Sequence, residues 1–148
     1  MTKTLEFKNE ELAAVGNFLG DLNLKSKASR GRTKLIKLIA SKNEEYTSER
    51  KDALEPFIMK DEKGNNVEGD TPNMVRIIEG KQDEANSIMD EIDEELAVIE
   101  FTEYSEKMHA LYEAIVDYPT EFSNQNATAY DLLMDQLESV FENETEEA

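Results

Sequence analysis

The chain has 148 residues, enough for one domain with a real core, since a domain of this size buries about 70% of the surface that its unfolded chain exposes. It is 39% hydrophobic and 34% charged and has no Cys, which excludes disulfides and thiolate metal sites and favours an intracellular setting. Charge is unevenly spread: residues 1–60 carry 12 Lys/Arg against 9 Asp/Glu, a net of +3, and residues 61–148 carry 4 against 25, a net of −21, in a chain of −18. Such a distribution implies a dipolar molecule whose field selects partners and does no chemistry by itself. No apolar run approaches the ~20 residues that span a bilayer, so no membrane segment is expected. The N-terminus lacks the apolar stretch of a signal peptide.

Thr4-Leu5-Glu6-Phe7 alternates polar and apolar residues as a short strand does. Asn9 reads as the cap of a first helix, with Glu10 and Glu11 favourable in its first turn and Gly20 at or just beyond its end. Leu12, Val15, Phe18, Leu19 and Leu22 give that helix one apolar face. Ser29 is a possible cap of a second helix over roughly 29–55, with Gly31 a weak point in its first turn and Pro56 its stop. The segment 60–70 is a turn region. Thr71-Pro72 is the strongest helix start in the chain, and Val75, Ile78, Ala85, Ile88, Met89, Ile92 and Leu96 carry an apolar stripe over 71–96, interrupted at Gly80-Lys81. Residues 97–101 lean towards a strand and should pair with Leu5–Phe7 as an antiparallel ribbon. Thr102 reads as the cap of a fourth helix stopped by Tyr118-Pro119, and Asn126 or Thr128 as the cap of a fifth.

The expected fold is mainly α: about five helices, two of them long and antiparallel (29–55 and 71–96), with a small two-stranded antiparallel ribbon. Residues 1–141 form a single helical domain in this reading, and 142–148, with four Glu and no base, an acidic frayed tail.

Two charged surfaces are candidate sites. Leu22 to Lys42 holds seven bases and no acid, with Arg30, Arg32 and Lys34 at its centre. Internal charge pairing, a protein contact and phosphate binding all remain open for it. Against nucleic acid stand the acidity of the rest of the chain and the lack of an aromatic residue inside the cluster. The second surface is acidic: Asp83, Glu84, Asp90, Glu91, Asp93, Glu94 and Glu95 fall on the outer face of the third helix, several at spacings of three or four. A solvated helix face is the plain alternative, although like charges so spaced cost a few tenths of a kcal/mol per pair.

Catalytic motifs are missing. The segment 25–34 lacks the glycine spacing of a P-loop, and 61–70 lacks that of a calcium loop. The single histidine, His109, reads as a surface or core-edge residue without a nucleophile beside it in sequence. The expectation is a protein that is not an enzyme and needs no cofactor or metal.

Phe7-Lys-Asn-Glu-Glu-Leu12, Asn17-Phe-Leu19, Leu24-Lys-Ser-Lys-Ala-Ser-Arg-Gly-Arg-Thr-Lys34 and Lys60-Asp-Glu-Lys-Gly64 together resemble a family of small acidic proteins of unknown function encoded by phages and prophages of Gram-positive bacteria. The resemblance brings no catalytic residue with it. It implies a phage origin, a place in the host cytoplasm or the virion, and one of two roles. The first is interference with a host system; the net charge of −21 over residues 61–148 makes the expected form of it binding and inhibition of a basic host protein, such as a defence nuclease, through the acidic helix face as a nucleic-acid mimic. The second is a structural or assembly part of the particle. The sequence leaves the partner's identity and the oligomeric state open.

Overall fold

The computed structural model describes residues 2–70, 74–119 and 121–147, with side chains to residue 142. They form five α-helices and a two-stranded antiparallel sheet, the mainly α architecture expected. Two compact units emerge, one from residues 1–44 and 96–148 and one from residues 45–95.

The larger unit is organised around the ribbon. Strand β1 (Thr4–Lys8) pairs antiparallel with β2 (Leu96–Glu100), Leu5 opposite Ile99 and Phe7 opposite Ala97, as the alternation predicted. These four side chains point inward and are buried. Asn9 is not the cap of the first helix. It opens a 3-10 turn over Asn9–Glu11 and is itself buried, while the Lys8 N–H donates to Glu11 Oε1 at 2.8 Å. The chain then enters α1 (Leu12–Gly20), whose Leu12, Val15, Phe18 and Leu19 join the core.

Helix α2 (Ser26–Leu54) begins three residues before Ser29, which therefore lies inside it and is not its cap, and the larger unit contains its first part, with Leu35 and Ile39 buried. Gly31 is a point of close approach and not a flaw. A Cβ there would lie 2.3 Å from the Lys107 carbonyl oxygen and 3.4 Å from Leu111 Cβ. Thr102 was expected to cap the fourth helix, but its hydroxyl accepts the Lys3 N–H at 2.8 Å, and a 3-10 turn over Thr102–Tyr104 precedes α4 (Ser105–Val116). Helix α5 spans Asn124–Glu147, so Asn126 and Thr128 lie inside it and not at its cap. The Thr128 hydroxyl instead donates back to the Asn124 carbonyl, the usual fate of a hydroxyl inside a helix. The Tyr130 hydroxyl reaches the Ile115 and Val116 carbonyls at 2.9 and 3.1 Å, engaging two of the acceptors that a helix end leaves open. The acidic tail expected to fray falls largely on residues 143–148, whose side chains lie outside the described set.

The smaller unit holds the rest of α2, a 3-10 turn at Glu55–Phe57 and α3 (Gln82–Glu94). Pro56 sits in the turn that follows α2, as a residue without an N–H should. Between that turn and α3, short extended segments are joined by isolated bridges: Ile58 with Ile77, Lys60 with Asn66, and Glu68 with Val75. The Asp61 carboxylate accepts the N–H groups of Lys63 and Asn65, both at 2.9 Å, and Gly64 takes φ +83°, so the turn read from the sequence is present.

The helix expected over 71–96 is corrected here. Thr71 and Pro72 lie outside the described residues. Residues 74–78 are extended, and α3 has 13 residues starting at Gln82. Val75 and Ile78 fit a helical period, but Val75 and Ile77 fit a strand period equally well, and β-branched residues favour the latter. Gly80 at φ +84° then turns the chain before the helix. Leu96 belongs to β2 and is exposed, so the apolar stripe of α3 ends at Ile92.

Candidate protein-binding surfaces

Helix α3 buries Ala85, Met89 and Ile92, residues that share one side at helical spacing. The same geometry turns Asp83, Asp90 and Glu94 to the opposite side, with Glu84 and Glu91 beside them. All five are exposed. From 83 to 94 the row extends about 16 Å at 1.5 Å per residue. Glu84 is 3.5 Å from Lys81, while Asp83, Asp90, Glu91 and Glu94 have no ion pair among the described residues. Glu95 follows the helix in extended conformation and is also exposed and unpaired.

Asp93 differs from the others. It points to the side, is only 18% exposed, and accepts the Tyr46 hydroxyl at 2.6 Å and Arg50 Nε at 3.0 Å. Its charge is engaged within the smaller unit, so it contributes to architecture before it contributes to any surface. Sequence reasoning missed Tyr46 and Arg50 as its partners, which lie 47 and 43 residues away, and no local signal connects them.

The basic segment divides in a similar way. Arg30 is exposed and unpaired among the described residues. Arg32 is half-buried: one guanidinium nitrogen donates to the Leu22 carbonyl just past α1, and the other reaches Ser29 Oγ at 3.1 Å. Lys34 Nζ stands 4.2 Å from the centre of the Tyr104 ring, within cation–π range. Lys27 and Glu106 approach at 4.0 Å, an exposed pair that contributes little. Of Arg30, Arg32 and Lys34, only Arg30 is wholly free for a partner.

His109 lines a shallow open cleft of about 500 Å³ with Lys27, Ser105, Glu106, Glu113 and Phe141. Its ring packs edge-on to Phe141 at 5.0 Å, and Nε2 is 3.5 Å from Glu113. This is an imidazole at the edge of the core, half exposed. The strongly perturbed group nearby is Tyr112. Its hydroxyl donates to Glu142 Oε1 at 2.6 Å, and that bond together with burial pushes its pKa up to about 12. Tyr130 is also raised, by burial first and by Asp117 next. Both shifts hold a phenol in its neutral form and prepare neither group as a base.

Among the described residues, no group of three or more His, Cys, Asp or Glu could hold a metal ion, and no helix is long and apolar enough to cross a membrane. Residues 3–144 match the model of a family described as protein of unknown function, DUF1617. No curated protein and no solved structure matches the chain.

Proposed function

We propose, for a chain that belongs to the DUF1617 family of proteins of unknown function, a non-enzymatic role: it binds and inhibits a basic protein by presenting the acidic face of α3 as a nucleic-acid mimic. One observation carries the reading. Asp83, Asp90, Glu91 and Glu94 stand exposed on one 13-residue helix with no cation against them among the described residues. A groove lined with Lys and Arg for phosphates responds to the position of charge, and carboxylates on a rigid helix supply that without sugar or base. The resemblance to phage-encoded proteins makes the partner a host protein, such as a defence nuclease, met in the cytoplasm of the infected cell.

Capture from host lysate at ~50 and ~500 mM salt tests the proposal, because exposed charges are screened within ~3–5 Å at the higher value. A basic protein should be retained at low salt and lost at high salt, and Asp83→Asn with Asp90→Asn and Glu94→Gln should abolish its capture. Salt-insensitive capture unaffected by that triple variant would overturn the reading. So would stoichiometric recovery of the protein in purified virions without a basic partner, which would favour a role in building the particle.

A further inference from the structure

The two edges of the ribbon are treated differently. Phe101 N–H donates to the Lys3 carbonyl at 2.9 Å, and in an antiparallel ladder this sets the alternation. Residues 97 and 99 therefore face β1, and the backbone N–H and C=O of Val98 point away from it. On the far side of β1 the corresponding donor is occupied, because the Glu6 N–H donates to Gln136 Oε1 of α5 at 2.8 Å. On the far side of β2, Val98 has no hydrogen-bond partner among the described residues. Its side chain is 44% exposed and that of Leu96 59%, while Ala97 and Ile99 anchor the strand in the core. Among the described residues the edge is thus unpaired and flanked by apolar side chains, and no Pro interrupts it.

We propose that the open edge of β2 is a strand-addition site for an extended segment of a partner protein that places Lys or Arg on either side of an apolar residue. Strand addition takes its affinity from the main chain and its specificity from alternate side chains. Here the alternate positions are Leu96, Val98 and Glu100, with Glu6 beside Val98 across the ribbon. An apolar residue opposite Val98 and a cation opposite Glu100 would complement them. A second copy of this chain fits poorly: pairing about Val98 would set each Leu96 against the other Glu100 and bring together two chains of net charge −18. The site is built from residues of the larger unit and the α3 face from residues of the smaller one, so the two proposals are tested by different variants and fail separately.

The test uses the full chain and a synthetic peptide in which Lys and Val alternate along one face of the strand, separated by Thr, as in Lys-Thr-Val-Thr-Lys. A control peptide carries N-methyl groups at alternate residues, keeping the charge but losing the donors on one edge. The plain peptide should bind and slow exchange of the Val98 amide at least about tenfold, and N-methylation should weaken binding by about tenfold or more. Val98→Pro, which removes the outward donor without touching the β1 ladder, should weaken it by a similar factor, whereas the α3 triple variant should retain most of the binding. Equal binding of the two peptides, or an unprotected Val98 amide in the complex, would overturn the proposal. Protection of Val98 without peptide in a protein that runs as a dimer would also overturn it, by showing self-pairing. If Val98→Pro fails to fold, the two peptides and the Val98 amide in the natural chain still decide.

Discussion

Arg30 and Arg32 are two residues apart and carry the same charge, yet the fold uses them differently. Arg32 donates to the Leu22 carbonyl and Ser29, and a hydrogen bond from a charged group contributes about 1.5–3 kcal/mol. Arg32→Ala should therefore lower unfolding free energy in urea by about 1–2 kcal/mol, and Arg30→Ala by less than ~0.5 kcal/mol, the usual range for a surface change. Equal losses would show that the Leu22 contact does not contribute. Tyr112 supplies a pH test. Its folded pKa of about 12 lies above its ordinary value of 10, so its contribution is complete below pH ~10 and is lost as pH rises towards 12. The stability difference between the natural chain and Tyr112→Phe should be flat below that range. It should then fall by about 1.4 kcal/mol per pH unit within it. Tyr130 is unchanged in both proteins and cancels from the comparison.

Among the elements, the contact of α2 with α4 at Gly31 is the most demanding. With 2.3 Å between a hypothetical Cβ and a backbone oxygen, relief requires one helix to move. Helix propensity alone would make Gly31→Ala stabilising by about 0.8–1.0 kcal/mol. Overpacking costs typically ~1–3 kcal/mol, more where backbone must shift, so the net effect should be a loss of about 1–3 kcal/mol. Chemical denaturation reads the sign directly, and a stabilised Gly31→Ala would show that the helices are not in contact there. The ribbon offers the converse lesson. Its inner face is closed by Leu5, Phe7, Ala97 and Ile99, and Gln136 takes the outward Glu6 N–H of its β1 edge, whereas the matching Val98 donor of the β2 edge has no partner among the described residues.

The molecule as a whole is governed by a net charge of −18, since 34 acidic residues face 16 bases and no pairing can remove the surplus. Among the described residues, the Lys27–Glu106 and Lys81–Glu84 pairs are exposed, and exposed pairs contribute ~0–1 kcal/mol each. Self-repulsion should therefore dominate the response to salt. Raising ionic strength from ~0.01 to ~0.15 M shortens the Debye length from ~30 to ~8 Å. It should raise stability by about 1 kcal/mol, or ~3–5 °C in Tm. A fall in Tm with salt would mean that attractive pairs prevail. The partition into two units adds an expectation for hydrogen exchange. Among the described residues of the smaller unit only Ile58, Ala85, Met89 and Ile92 are buried and apolar, so the amides of its bridged segments should exchange faster than those of β1 and β2.

Local chemistry was enough to reveal much of this protein. The alternation at residues 4–7 and 97–101 gave both strands and their pairing, and Pro56 and Tyr118-Pro119 marked where α2 and α4 end. The exposed carboxylates of α3 were legible too, because a helix with one apolar stripe must turn its charges outward. Helix starts were missed wherever a good capping residue was engaged elsewhere, as Thr102 is by Lys3, since a cap is only a local preference. Residues 74–78 satisfied the helical and strand periods together, and their bridges to Ile58 and Glu68 decided between them. Which charges are free was likewise a tertiary matter. Asp93 and Arg32 look like their neighbours in sequence, but the groups that hold them lie 43–47 and 10 residues away. Gly31 reads as a weak helix residue until Lys107 is brought against it. Periodicity and turn chemistry act within a few residues and so can be read from the chain, whereas packing distances and charge partners depend on contacts that only the folded chain creates.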